Sequence, residues 1–229
     1  MLWYKAWLET RWRMLLPAGM IFFALFTGHQ SKGRLHFGPG SMLGVVGLFW
    51  LTAPLTLAGS GLRTEAPFQA VKGLHGSTYF TLSLPVSRLR LFASRTALGI
   101  LETAGILVAV CGIAVAVFPE LRGLATAADG FRYMATLLLC SLGYFGFSTL
   151  LSTFVDQQWQ VLIAVGTIFL SLWLGVSGRL PRSLDMFAAM GPASPLINHA
   201  MPWGAVALSV GAGIVFLLAA LRVVQAREY

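Results

Sequence analysis

Long apolar runs broken by short charged clusters set the pattern of this chain. Six runs are read as membrane spans, at 14–29, 37–62, 96–118, 132–155, 159–177 and 202–221. A helix needs about 20 residues to cross hydrocarbon, and lipid offers no partner for an open backbone. The runs do not alternate as barrel strands would, so each is expected to be a helix. The first is short, with Pro17 near its start, where a helix tolerates proline best. The second carries no charge and is expected to kink at Pro54. The third holds a single acid, Glu102.

The polar segments divide the remainder. Residues 1–13 read as an interfacial helix, with Trp3 and Trp7 on one face and Lys5, Glu9 and Arg13 on the other. This mixture is not that of a cleavable signal, because no short apolar core with a small-residue cleavage site occurs there. Residues 63–95 form the longest and most basic loop, with a helix-compatible stretch at 68–74. Ser83 or Ser87 is placed to cap a helix that carries Arg88, Arg90 and Arg95 into the third span. Residues 178–201 form a second loop, in which short helices are expected between Pro181, Pro192, Pro195 and Pro202. Asp156, with Gln157 and Gln158, marks a tight turn between the fourth and fifth runs.

Basic residues orient the bundle. With the N-terminus inside, the cytoplasmic side receives Lys5, Arg11, Arg13, Arg63, Lys72, Arg88, Arg90, Arg95, Arg222 and Arg227, ten of the 16 Lys and Arg. Lys32, Arg34, Arg122, Arg132, Arg179 and Arg182 fall outside. The expectation is an all-α integral membrane protein with six transmembrane helices and both ends cytoplasmic, in a cell's inner (cytoplasmic) membrane.

Composition agrees. Hydrophobic residues make up 57% and charged residues 10% of the 229, too few charges to clothe a soluble domain. The net charge of +8 suits loops at anionic membrane surfaces. The basic clusters carry no nucleic-acid-binding motif, so no nucleic-acid partner is expected. Cys111 and Cys140 lie inside apolar runs and read as small hydrophobes.

Catalytic signatures are missing. Lys5, Lys32 and Lys72 do not follow a phosphate-binding glycine loop, and no zinc-protease histidine pair or nucleophile elbow occurs. No catalytic residue, cofactor or metal is therefore expected in the chain. Glu102 is the exception worth weighing. A carboxylate in a span is a candidate site for a cationic substrate. Equally, it lies about two turns from the cytoplasmic end of the 96–118 run, where it would snorkel or pair near Arg95. Gly40/Gly44, Gly105/Ala109, Gly112/Ala116 and Ala207/Gly211 have the spacing of close helix contacts. Phe145, Phe147, Phe154 and Trp173 are candidates either for a substrate path or for packing.

Gly76-Ser77-Thr78, followed by Leu82-Ser83-Leu84-Pro85-Val86-Ser87-Arg88 in the loop after the second span, resembles the membrane subunit of an ABC transporter, specifically the type-2 permease family. The interfacial "elbow" helix, six runs and the charged tail Gln225-Ala226-Arg227-Glu228 resemble that family too. Where such permeases often carry an acid after the threonine, this chain has Tyr79 and Phe80. The resemblance implies an exporter-like fold that pairs with a second permease copy, identical or related, and sits on separate ATPase subunits. ATP and Mg would be bound by those partners. Phe68, Val71, Lys72, Thr78, Leu84, Pro85 and Arg88 would then carry coupling to the ATPase, with Glu102 on the substrate path. An ion-coupled secondary transporter and a non-transporting membrane scaffold are the alternative readings.

Overall fold

A computed structural model describes residues 15, 17–21, 23, 39–58, 87–117, 126–155 and 157–226. Their regular structure is entirely helical. Leu15, residues 17–21 and Phe23 are helical, within the first expected span. The further elements are α1 (Pro39–Trp50), α2 (Thr52–Leu57), α3 (Arg88–Val117), α4 (Ala127–Leu151), α5 (Gln157–Val176), α6 (Met186–Met190), α7 (Pro195–Asn198) and α8 (Trp203–Ala226). The interfacial segment 1–13, the stretch 68–74 and Asp156 lie outside the described residues.

Among the described residues, three helices are long and apolar enough to cross a membrane: Leu89–Ile113, Ala127–Leu151 and Trp203–Ala226. Leu43–Leu57 and Leu162–Val176 are shorter apolar helices. The second expected span is broken at Leu51, between α1 and α2. Pro54 has no N–H to return to the Trp50 carbonyl, so the interruption falls one turn before the proline.

The starts of α3 and α4 lie well outside the apolar runs. α3 begins at Arg88, eight residues before the run at 96, and is 30 residues long. Ser87 Oγ accepts the Arg90 amide at 3.3 Å and supplies the cap. Arginine stems cover apolar surface while their heads reach polar layers, so these turns remain helical. α4 begins at Ala127 rather than at Arg132, because Thr126 caps it by accepting the Asp129 amide at 3.2 Å. Between prolines, the 178–201 loop does form two short helices, α6 and α7.

α4 and α8 are parallel neighbours. Arg132 meets the His199 carbonyl, Thr136 meets Met201, Cys140 and Gly143 meet Ser209, and Phe147 packs on Phe216. That near-constant offset requires the same direction and fixes the register. Their closest approach is at glycines: a Cβ on Gly146 would stand 2.6 Å from the Gly213 carbonyl oxygen. By contrast, a Cβ on Gly44, Gly105, Gly112 or Gly211 meets nothing within 4 Å. Among the described residues, the closest contacts are thus made by other glycines. Trp50 fixes α1 to α4 by donating Nε1–H to the Leu137 carbonyl at 3.0 Å, inside a core with Leu51, Leu55, Tyr144, Ile168 and Met190.

These contacts sort the helix ends into two sets. At one end, Phe92 of α3 packs against Ala220 and Val224 of α8. Gln160 of α5 reaches Ala58 after α2 and Ser148 of α4 at the same end. At the other end, Gly47 of α1 meets Met190 of α6, and the start of α4 meets His199. Arg90, Arg95 and Arg222 thus sit toward the first end, and Arg132, Arg179 and Arg182 toward the second.

Candidate functional site

Of the residues expected to couple to a partner, Phe68, Val71, Lys72, Thr78, Leu84 and Pro85 lie outside the described residues. Arg88 opens α3. The motif thus leads directly into a helix with a built cap, whose second turn is anchored by buried Leu91 and Phe92. Phe92 contacts the end of α8, so this turn is held by the bundle.

Glu102 lies on the same helix, 13 residues into Leu89–Ile113, about 20 Å along it at 1.5 Å per residue. It is only 3% exposed. Gly99, Thr103 and Ile106 are buried on the same face, at i−3, i+1 and i+4. Sequence placed this carboxylate about two turns from the end of a span starting at 96. It is buried near the middle of Leu89–Ile113. Thr103 satisfies its hydroxyl on the Gly99 carbonyl, 2.7 Å away, so it adds no free donor. Gly99 itself is crowded: its Cβ position is 3.0 Å from Phe145 and 3.1 Å from the Leu57 carbonyl oxygen. Phe145 is therefore a packing residue here, whereas Phe154 and Trp173 are exposed.

The most developed polar cluster was not selected from sequence. Asp129, 3% exposed, receives Thr126 Oγ1–H at 2.8 Å, Arg132 Nη1 at 3.1 Å and His199 Nδ1 at 2.8 Å. A carboxylate only accepts, so the histidine proton sits on Nδ1. Arg132 Nη1 also donates to the His199 carbonyl at 3.1 Å. His199 is the left-handed C-cap of α7, with φ of 54°, so the cluster ties the 178–201 loop to α4. The usable signal was Thr126-Ala127-Ala128-Asp129, a capping box lying outside the apolar run.

Chemically, this cluster is a staple. Among the described residues, the second ring nitrogen of His199 has no hydrogen-bond partner. Among the described residues, no group of three or more His, Cys, Asp or Glu is placed to hold a metal ion. Arg179 stacks over Trp173 at 4.6 Å, an arrangement suited to a headgroup layer. Comparison of the chain with protein-family models, with curated proteins and with solved structures finds no match.

Proposed function

We propose that this chain is the membrane-spanning permease subunit of an ABC transporter, with six spans, an interfacial elbow helix and an exporter-like type-2 fold. The observation that carries the reading is α3. Its 30 residues are about 45 Å long, against a hydrocarbon thickness of about 30 Å. It starts at the last residue of the Leu84-Pro85-Val86-Ser87-Arg88 motif, and Phe92, one turn in, packs against the end of α8. A rigid rod joining a basic loop to the bundle interior transmits displacement without local unfolding. A separate ATPase docked on Phe68, Val71, Lys72, Thr78, Leu84, Pro85 and Arg88 would push on that rod. The basic loop suits an acidic rim on such a partner. Orientation with this loop and both termini in the cytoplasm is supported by the ten-to-six distribution of basic residues.

The test is isolation from native membranes in mild detergent. The proposal expects a nucleotide-binding subunit to co-purify with the chain. It also expects Arg88→Glu to weaken that association while the helical content of the chain is kept. Isolation without any ATPase, together with unchanged ATPase activity when the chain is deleted, overturns it.

One observation favours a second reading. A buried carboxylate near mid-segment is what ion-coupled secondary transport requires. Transport by the purified chain in ATP-free vesicles under an ion gradient, lost in Glu102→Gln, would select that reading over the first.

A further inference from the structure

α4 and α8 are not merely adjacent. Their contacts extend from one end of the bundle to the other and involve the backbone itself. At one end, Asp129 and Arg132 hold His199, three residues before α8's flanking Pro202. One turn further along α4, the Thr136 hydroxyl lies 3.6 Å from Met201 Sδ. Deeper, the buried Ser209 hydroxyl donates to the Cys140 carbonyl at 2.6 Å and accepts the Gly143 amide at 3.0 Å. A side chain of α8 therefore occupies hydrogen-bonding groups of α4's own backbone. One turn on, Gly146 and Gly213 bring the two main chains together, and a Cβ on either glycine would fall within 2.7 Å of a carbonyl oxygen. Phe147 and Phe216 close the sequence with ring centroids 5.4 Å apart. α5 is joined to α4 differently, by side-chain pairs, Gln160 with Ser148 and Ser171 with Tyr144, and it exposes Trp159, Leu162, Ile163, Phe169, Leu170 and Trp173.

We infer that α4 and α8 form one locked two-helix body, which persists as a unit when the rest of the bundle loosens. The polar groups of this seam are paired across it, and separation would break both hydrogen bonds that the Ser209 hydroxyl makes to α4. The body is built from helices separated in sequence by all of α5 and the 178–201 loop, and α5 meets it through hydrogen bonds between side chains rather than through main-chain contact.

The experiment uses the full chain in mixed micelles, with Cys111→Ala and Cys140→Ala. Spin-label pairs go on exposed positions: 131 with 203 for α4–α8, 131 with 176 for α4–α5, and 101 with 218 for α3–α8. Distances are followed as the SDS fraction rises. The inference expects the 131–203 distance to remain single and short after the other two have broadened. Loss of 131–203 together with the others, or before them, overturns it. Ser209→Ala supplies a second measure: it should bring the 131–203 loss to lower SDS while leaving the 131–176 loss in place. Equal movement of both would show that Ser209 supports the bundle generally and would overturn the locked body. If Ser209→Ala does not fold, the three-pair comparison in the otherwise unchanged chain decides alone.

Discussion

Replacing Gly146 by alanine tests the account of packing at its tightest point. The new Cβ would lie 2.6 Å from the Gly213 carbonyl oxygen and 3.0 Å from its Cα. Both are main-chain atoms, so no side chain can rotate away. Restoring ordinary contact near 3.4 Å requires α4 and α8 to part by about 0.8 Å there. The Ser209 bond to the Gly143 amide, now 3.0 Å, would stretch beyond hydrogen-bonding distance if the displacement reached it one turn away. Overpacking of this kind costs about 1–3 kcal/mol. Loss of an interhelical hydrogen bond adds roughly 0.6–1.7 kcal/mol. The helix-propensity gain of alanine over glycine offsets at most about 1 kcal/mol, and less where the denatured chain in micelles stays helical. The expected net effect is destabilisation by roughly 1–3 kcal/mol. Gly211→Ala is the internal control, because its Cβ meets nothing within 4 Å. Reversible SDS unfolding, read by tryptophan fluorescence, should place Gly146→Ala well below the parent and Gly211→Ala at or above it. Equal midpoints for the two variants would refute the close approach of α4 and α8.

Two further substitutions probe the joints of the bundle. Trp50→Phe removes the Nε1–H donor to the buried Leu137 carbonyl and part of the core volume, so it should lower stability by roughly 1–3 kcal/mol in the same assay. Thr126→Ala removes the α4 cap and should cost about 1 kcal/mol, while Thr126→Ser keeps the hydroxyl and should stay close to the parent. A Thr126→Ala midpoint unchanged from the parent would contradict the cap.

The apolar runs made the helices legible, because lipid leaves a chain few alternatives to helix. α5 and α8 start within two residues of the expected positions, at Gln157 and Trp203. The start of α3 was legible from Ser87 as a cap rather than from hydropathy, and the start of α4 from neither. Arginines and a Thr–Asp cap permit a helix to run past the apolar run. The closest helix contacts among the described residues were not picked out by spacing. Glycine spacing is a local signal, whereas the choice of Gly143, Gly146 and Gly213 over Gly105, Gly112 and Gly211 depends on which faces meet. The Asp129–His199 staple joins residues 70 apart, and only its capping half was written in the local sequence.

The claim on which the rest depends is that the bundle crosses the membrane with the start of α3 on the cytoplasmic side. Single cysteines at Leu89 and Arg182, both exposed positions, are introduced with Cys111→Ala and Cys140→Ala. An impermeant maleimide is then applied to intact cells, before and after permeabilisation. The account predicts labelling at 182 in intact cells and at 89 only after permeabilisation. Labelling of 89 from outside, or of both positions from the same side, would contradict it.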